Sequence, residues 1–560
     1  MKNTLYLFSI LCLTGSISSA LAQTKNLHHP KGNLKTTIEQ NDFIRTINQT
    51  KKQRRQQLRY IKNQGRLVFA TPFNKYDGFG DGPVNLDNMV EPSGRPTIAG
   101  KGNGFLRING LDSQSCLECH SILSSKQIPS TFAVGGAGGG SSSAFPSMTE
   151  FLSATLQEND DNQALINGRM INPPFVFGAG GIELLAKEIT AKLQAKKLQA
   201  LSNIGQKIRL DIQQGDVILN FGSIIAEPVT TKKQLADDEL FLARKTNCDS
   251  IENTTQQKSI QHFVSINRSA PEFIAKNAHK SMVGNLKTLA KYRMENQISY
   301  QINTDNIQGI DGDLVVRPFG RKGNNVTTRD FDCGAIRFHM GVEPEEIVGA
   351  DNDHDNDGQV NEVTIAEMSA LAVFNTTLKR PRSVKLRGKG FKLFRQIGCN
   401  SCHISRLQTD SSILQYHQPE KPLEPICTLS DSEDCEHVYY QTDLSPLYRN
   451  NRHGGLNVQL FSDLKRHDMG AGLKENLAAA TDLENRLFIT ARLWGVADSA
   501  PYLHDGRATT IEDAIKMHGG EAENAKNAFI ALNDAQQVKI LKFLNRLHTP
   551  KNHKRRKDDE

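Results

Sequence analysis

The sequence predicts a mainly α-helical protein in which two small helical domains are separated by a long inserted region of α+β, loop-rich structure. The first reason is a pentapeptide with two cysteines and a histidine that occurs twice, far apart in the chain. The second is apolar spacing typical of helices at 180–201 and 534–547, with a short helical pattern at 388–398 before the second pentapeptide. The third is an alternating pattern at 208–212 and 314–316, which is typical of strands.

Both pentapeptides read C-x-x-C-H, the attachment site of c-type haem. Two thiols form thioethers with one porphyrin, and the histidine that follows lies under the iron as its proximal ligand. A zinc site of two C-x-x-C pairs is the alternative, but it requires both pairs in one small module. We therefore predict two covalently bound haem c groups, each in a cytochrome c-like domain. The predicted attachment residues and proximal ligands are Cys116, Cys119 and His120 in the first copy, and Cys399, Cys402 and His403 in the second.

The N-terminus predicts export. Lys2 precedes an apolar run at 5–13, and small residues at 19–23 offer an A-x-A cleavage site. Residues 1–22 are therefore predicted to be a signal peptide, and the mature protein is predicted to be periplasmic. No later segment reaches about 18 consecutive apolar residues, so no stable membrane insertion is expected.

The cysteine count agrees with an oxidising compartment. Of nine cysteines, one leaves with the signal peptide and four belong to the haem motifs, which leaves an even number for disulfides. Cys427 and Cys435 lie close in sequence and predict a local bridge, so Cys248 and Cys333 would form a long-range pair. The alternative is that one or both pairs remain free thiols.

These features divide the chain into consecutive regions. After the signal peptide they are a polar N-terminal extension (23–65), a first haem c domain (66–204), an inserted region (205–385), a second cytochrome c domain (386–548) and a basic tail (549–560). The net charge is +7, with basic residues clustered towards the two ends. Export, and the lack of aromatic residues within the basic runs, argue against nucleic-acid binding.

Further segments resemble the di-haem oxidoreductases, a family also described as putative peroxidases or thiol oxidoreductases and related to bacterial di-haem cytochrome c peroxidase. The resemblance runs from about residue 65 to 548 and is most specific near the end. It is carried by Asn-Gly-Leu-Asp-Ser-Gln-Ser-Cys-Leu-Glu-Cys-His (109–120), Phe-Gly-Ala-Gly-Gly-Ile-Glu-Leu-Leu (177–185), Val-Arg-Pro-Phe-Gly (316–320), Arg-His-Asp-Met-Gly (466–470), Leu-Trp-Gly (493–495) and the stretch 500–521, which begins Ala-Pro-Tyr-Leu-His-Asp-Gly-Arg.

The resemblance implies that the first haem is the reactive one. The peroxidases carry a displaceable distal histidine where this chain has a glycine-rich tract at 135–143, and no histidine occurs between His120 and His262. The first haem is therefore expected to have an open axial position at rest. The tract is either a flexible linker or a loop folded over a haem face.

Glu183 lies where the resemblance puts the catalytic glutamate of the peroxidases, a group that moves a proton during O–O bond cleavage. Glu188 is a competing candidate, and Glu183 could also be an ordinary helix glutamate. Phe175 and Phe177 are candidates either for the wall of the same pocket or for the core.

The second haem has four candidates for its other axial ligand: Met469, His467, His504 and His518. Matching the Leu-His-Asp-Gly motif to the peroxidases puts His518 where their axial methionine lies, which implies a bis-histidine haem of lower potential than a His/Met one. Met469 is the alternative, and His518 could instead be a residue that ends a helix. Trp494 is expected to pack near the second haem, because the relay tryptophan of the relatives lies in their first domain.

An acidic loop at 351–362 resembles a calcium loop. Asp353, Asp355 and Asp357 alternate before a glycine, which lets a tight turn present several oxygens to one hard cation. The twelfth position is a threonine rather than the glutamate of an EF-hand, so Glu362 or Glu367 would have to substitute. A solvated acidic loop is the alternative. The helical segment that follows, at 365–374, would anchor the loop.

Three functions are consistent with these patterns. The first is a periplasmic di-haem peroxidase, which reduces a small-molecule oxidant with electrons from a cytochrome c or cupredoxin. The second is an oxygenase resembling the di-haem rubber oxygenases, which would need O₂ and a hydrocarbon but no external reductant. The third is an electron carrier without catalytic activity, in which both haems would be six-coordinate.

Overall fold

The computed structural model describes residues 28–44, 49–80, 103–106, 113–120, 122, 152–156, 164–165, 172–174, 176–228, 300–417, 438–475 and 481–550. The signal peptide, the tract at 135–143, Phe175, Cys248, Cys427, Cys435 and the tail from residue 551 lie outside the described residues.

The helices are α1 (Lys51–Ala70), α2 (Cys116–Cys119), α3 (Ala179–Ser202), α4 (Thr328–Ala335), α5 (Glu345–Val348), α6 (Ile365–Thr376), α7 (Lys389–Gln396), α8 (Asp482–Arg486), α9 (Ile511–Lys516), α10 (Glu523–Ile530) and α11 (Asp534–Leu544). A π-helical segment, Ile336–Met340, follows α4. Short 3-10 segments are Gln40–Phe43, Cys399–Ser401, Ala471–Leu473, Val496–Asp498 and Gly520–Ala522. Among the described ranges, no helix combines the length and apolar character that crossing a membrane requires.

The strands are β1 (Asn103–Leu106), β2 (Leu152–Leu156), β3 (Ala164–Leu165), β4 (Lys207–Gln214), β5 (Val217–Pro228), β6 (Tyr300–Ile307), β7 (Leu407–Gln408), β8 (Ile413–His417), β9 (Val438–Asp443), β10 (Arg449–Asn450), β11 (Leu456–Val458), β12 (Arg466–Asp468) and β13 (Leu487–Ile489). They form small antiparallel sheets in the orders β1-β2-β3, β4-β5-β6, β10-β11-β7, β8-β9 and β12-β13.

The prediction of a mainly α fold is wrong. Of the described residues, 38% are helical and 17% lie in strands of several small sheets, so helix and strand are mixed throughout. Seven of the strands, β7 to β13, lie inside the region 386–548 that was expected to follow a small helical plan. Some have only two or three residues and pair with distant segments, as β7 does with β11, so no period-two pattern can form within them.

A second difference concerns residues 314–316, which were expected to form a strand. They are not part of a sheet, and Leu314 has a φ of 62°. A backbone in the left-handed region cannot continue an extended strand, so the apolar run forms a buried turn instead.

Helix α1 packs across α6 at a single close approach. The helix begins at a capping box. The Thr50 side chain accepts a hydrogen bond from the backbone N–H of Gln53, and the Gln53 side chain accepts one from the backbone N–H of Thr50. Gly65 then lies directly against the carbonyl oxygen of Ala370, and Phe69 packs on Phe374 with ring centroids 5.5 Å apart. Because α1 runs from Lys51 to Ala70, it crosses the expected border at residue 65 and joins the N-terminal residues to the inserted region.

The main hydrophobic core is shared by all three central regions. Helix α3 contributes Ile182 and Ile189, the β4-β5-β6 sheet contributes Phe221, α6 contributes Val373, and β11 contributes Leu456. The helix predicted at 180–201 is confirmed as α3. Since residues of 205–385 are buried against those before and after them, the inserted region is packed into the same core as its neighbours.

A separate aromatic cluster holds the end of the chain together. Phe391 and Phe394 of α7 pack against Phe543 of α11, with ring centroids 5.2 and 5.6 Å apart. Asn533 caps α11 by accepting a hydrogen bond from the backbone of Gln536. The helices predicted at 388–398 and 534–547 are therefore confirmed, although α11 ends at Leu544.

The close approach at Gly65 leads to a stability prediction. A methyl group at this position would lie 2.0 Å from the carbonyl oxygen of Ala370, so Gly65→Ala must push α1 away from α6. We expect a loss of about 1–3 kcal/mol, as for other overpacked sites, although the same change in an exposed helix would stabilise it by about 1 kcal/mol. Gly472→Ala is the control, since its methyl group meets no described atom within 4 Å. A midpoint of thermal unfolding for Gly65→Ala at or above the wild-type value would contradict this packing.

Candidate haem-binding sites

The first C-x-x-C-H motif forms the short helix α2, and the histidine that follows is anchored to the backbone. His120 donates Nδ1–H to the carbonyl oxygen of Pro174, 2.8 Å away. A carbonyl can only accept, so this bond decides which nitrogen carries the proton. Burial, with repulsion from His339, lowers the pKa of His120 to about 4, and the ring is neutral at pH 7. Its Nε2 lone pair is therefore available to a metal.

The second motif repeats this arrangement. It follows α7 as the 3-10 segment Cys399–Ser401, and the Nδ1 of His403 lies 3.2 Å from the carbonyl oxygen of Phe461. Burial, with repulsion from His518, lowers the pKa of His403 to about 4. Phe461 is buried with a φ of 58°, a left-handed backbone that is unusual for a large side chain. The fold holds this unfavourable conformation where the carbonyl meets the histidine.

His518 faces His403. The two ring centroids are 6.5 Å apart, and the Nδ1 of His518 donates to the carbonyl oxygen of Ala514 at 2.7 Å. Burial lowers the pKa of His518, which keeps its ring neutral as well. Two imidazoles that bind one metal ion through nitrogens about 2 Å from it have centroids roughly 6 Å apart. The spacing of His403 and His518 therefore fits a single iron between them.

The other candidates for the second haem have different surroundings. Both nitrogens of His467 meet carboxylates, Nδ1 that of Glu521 at 2.7 Å and Nε2 that of Asp463 at 2.9 Å. Burial would lower the pKa of His467, but the hydrogen bonds to Asp463 and Cys402 raise it to about 11, and the carboxylates occupy both ring nitrogens. His504 stacks on Phe488 with centroids 4.5 Å apart.

Met469 lies close to His518 in the fold. It follows β12, and its backbone carbonyl packs directly against Gly519, the residue after His518. The two candidates for this axial position therefore come from neighbouring segments, and His518 is the one whose ring faces His403.

The first motif faces two residues that the sequence analysis did not identify. Asp332 on α4 is close enough to Cys116 for its charge to add to burial in raising the pKa of that thiol, and His339 is close enough to His120 to lower the pKa of its ring. His339 belongs to the π-helical segment Ile336–Met340, a type of distortion that often occurs at functional sites. Neither residue lies in a recognisable motif, so the sequence contains no local signal for them.

Glu183 is a fully buried carboxylate on α3. Its Oε2 accepts a hydrogen bond from the backbone N–H of Thr328 at 3.0 Å, and its Oε1 lies 3.4 Å from Nζ of Lys187. Burial, followed by the charge of Glu183, raises the pKa of Asp332 well above its usual range, although Asn375 donates to its carboxyl oxygens. Asp332 therefore interacts electrostatically with both Glu183 on α3 and Cys116 of the first motif.

Glu188, the competing candidate, faces a different element. Its two oxygens accept the backbone N–H groups of Asp410 and Ser411 at 2.8 and 2.9 Å, which fixes the loop before β8. Burial raises the pKa of Glu188 to about 7. The structure thus directs these two glutamates of α3 to different neighbours.

The remaining candidates lie as follows. Phe177 is buried just before α3. The indole of Trp494 packs in the main core against Gly178, where an added methyl group would lie 2.8 Å from the ring.

Cys333 is disulfide-bonded. The carboxylates of Asp353, Asp355 and Asp357 lie together.

Comparison with known proteins identifies one family. A family model described as "Di-haem oxidoreductase, putative peroxidase" matches residues 451–547. This stretch contains His518 and Trp494 but neither C-x-x-C-H motif. The match confirms the family that the sequence motifs indicated, and the family's description implies haem cofactors and an oxidoreductase activity. No curated protein matches the chain.

The environment of Glu188 predicts a pH-dependent stability. Its carboxyl has a pKa of about 7 in the folded state, against about 4.3 when unfolded. As the pH rises from about 4 to 7, the unfolded chain releases this proton more readily, so the wild type loses stability relative to Glu188→Gln. The difference between the two proteins should change by on the order of 3 kcal/mol. Urea denaturation at both pH values measures it, and parallel pH profiles for the two proteins would contradict the prediction.

Proposed function

We propose that this chain, whose C-terminal part matches the di-haem oxidoreductases, is a periplasmic di-haem c-type oxidoreductase with peroxidase activity. It reduces a peroxide at the first haem with electrons relayed by the second. The electrons come from a small periplasmic donor such as a cytochrome c or a cupredoxin. The N-terminal signal sequence and the paired C-x-x-C-H motifs support the location and the covalent attachment.

The observation that carries the proposal is the different surroundings of the two motifs among the described residues: a facing histidine ring at the second, and buried acids near the first. His403 and His518 face each other across 6.5 Å, each with Nδ1–H given to a carbonyl, as in metal sites where an outer partner orients the ligand. Such a pair suits electron transfer. At the first motif, His120 has the same outer partner, and the acids Asp332 and Glu183 lie behind it.

The residues around the first motif suit proton transfer. A haem held by Cys116, Cys119 and His120 would supply the redox chemistry that peroxide reduction requires. Glu183 would accept a proton from one peroxide oxygen and return it to the leaving oxygen. Lys187 and Thr328 hold its carboxylate in place, and Asp332 lies close enough to influence both Glu183 and Cys116.

The role of Glu183 is tested by a matched pair of variants. Glu183→Gln should lower kcat/KM for hydrogen peroxide by about 10²–10⁴-fold, since the amide cannot transfer the proton. Glu188→Gln removes a buried carboxylate from the same helix and should retain activity, because its partners are Asp410 and Ser411. The assay follows oxidation of a reduced c-type cytochrome by peroxide in the haem-loaded protein. Equal losses in both variants would exclude a specific role for Glu183.

The same assay separates the competing reactions. Turnover that requires O₂ and a hydrocarbon, without any reductant, would select the oxygenase. Absence of turnover with either oxidant would leave the electron carrier.

The ligation of the second haem is tested by low-temperature electron paramagnetic resonance of the ferric protein. The wild type should show a low-spin bis-histidine signal beside a high-spin signal from the first haem. His518→Ala should abolish that low-spin signal, whereas Met469→Leu should preserve it. Loss of the signal in Met469→Leu alone would assign the methionine as ligand.

The state of the first haem can be read from the same spectra. Two low-spin signals in the wild type would show that its axial position is closed at rest. His339→Ala would then identify the ligand, because a return to high spin would assign the position to His339.

A further inference from the structure

A cluster of carboxylates, which follows the π-helical segment Ile336–Met340 in the chain, is not used in the proposed reaction. Two groups of three acids share Asp355. Their ligand oxygens lie within 4.8 Å of one another, and the groups are Asp353, Asp355 and Asp357, and Glu343, Asp355 and Glu362. Helix α5 separates Glu343 from the acidic loop, so the cluster joins two segments of the chain.

Asp355 is the centre of the cluster and is fully buried. Its Oδ1 accepts the backbone N–H of Asp357 at 3.2 Å, but its Oδ2 is buried and has no hydrogen-bond partner among the described residues. A buried carboxylate oxygen without a donor costs more free energy than an ordinary hydrogen bond returns. Asp355 is also the one residue that belongs to both groups.

Two basic groups approach the cluster. Arg337 approaches Glu343 at 3.6 Å, and the ring of His354 approaches the same carboxylate at 3.4 Å. Five neighbouring carboxylates repel one another, and a bound cation would offset that repulsion.

We infer that Glu343, Asp353, Asp355, Asp357 and Glu362 bind one Ca²⁺ ion. All the donors are carboxylate oxygens, which selects a hard cation. In each group of three, the ligand oxygens are close enough together to reach one ion, since Ca²⁺ binds oxygens at about 2.3–2.6 Å. Five acids from two segments form a large, irregular set, which suits the flexible coordination of Ca²⁺ better than the strict octahedron of Mg²⁺.

The structure also decides between the two glutamates that could complete the loop. Glu362 lies within the cluster, where its Oε2 accepts the backbone N–H of Glu343 at 2.8 Å. Glu367 is part of the capping box of α6 and meets His28 and Thr36 instead. The ion would thus be bound by a loop that differs from an EF-hand in two ways. Its twelfth position is not a glutamate, and one ligand, Glu343, comes from the chain before the loop.

The site has a structural consequence for the first haem motif. Glu343 lies three residues after the π-helical segment that contains His339, and Glu362 packs against the backbone of Gly78. A cation here would connect the acidic loop to the π-helical segment and to Gly78. This inference concerns cation binding and does not depend on the reaction proposed above.

Calcium binding to the haem-loaded protein tests the inference. After treatment with a chelator, the wild type should bind one Ca²⁺ per chain in isothermal titration calorimetry, and more tightly than Mg²⁺. Asp355→Asn should weaken this binding at least tenfold. Asp351→Asn is the matched control, because Asp351 is exposed in the same loop and outside the cluster, where it accepts a hydrogen bond from Asn361 that an amide oxygen also accepts.

Thermal unfolding guards against a variant that fails to fold. Calcium should raise the unfolding midpoint of the wild type but not that of Asp355→Asn. Without calcium, Asp355→Asn should be at least as stable as the wild type, because one repelling charge is gone. No calcium binding by the wild type, tighter binding of Mg²⁺, or undiminished binding by Asp355→Asn would each overturn the inference.

Discussion

Three backbone carbonyls determine which ring nitrogen of His120, His403 and His518 is available to a metal. Pro174, Phe461 and Ala514 each accept Nδ1–H from one ring, so each neutral ring presents the lone pair of Nε2. Burial lowers the pKa of these three rings, whereas the pKa of His467 is raised, despite burial, by its hydrogen bond to Asp463. A carbonyl partner thus leaves the other ring nitrogen able to bind a metal, whereas a carboxylate partner favours the protonated ring.

The carbonyl that orients His120 connects the two haem regions. Asn172, two residues before Pro174, donates to the carbonyl oxygens of Pro501 and Leu503 in the second region. Trp494 packs on Gly178, which precedes α3. Asn172 and Gly178, on either side of Pro174, therefore both contact the second region.

The structure contains two groups of buried acids with different surroundings. Burial, followed by the charge of Glu183, raises the pKa of Asp332, although Asn375 donates to its carboxyl group. The cluster around Asp355 contains an oxygen that no described donor reaches, which is why we assign it a cation.

Features that depend on a few consecutive residues were predictable from the sequence. The C-x-x-C-H motifs predict haem attachment from five residues each, and the helices α3, α7 and α11 follow from apolar spacing within one element. The family followed from the motifs near the end of the chain, where the family model also matches. The class of fold did not follow, because short strands such as β12 acquire their identity only by pairing with a distant segment.

The sequence by itself determined which residues could carry haem, and it singled out the acidic loop, because these signals are local. Only the tertiary structure brought His339 and Asp332 to the first motif, directed Glu183 and Glu188 to different partners, and added Glu343 to the loop. Each of these relations joins residues far apart in the chain. Their pKa values and hydrogen bonds arise from burial against those distant neighbours, and no spacing in the sequence encodes that burial.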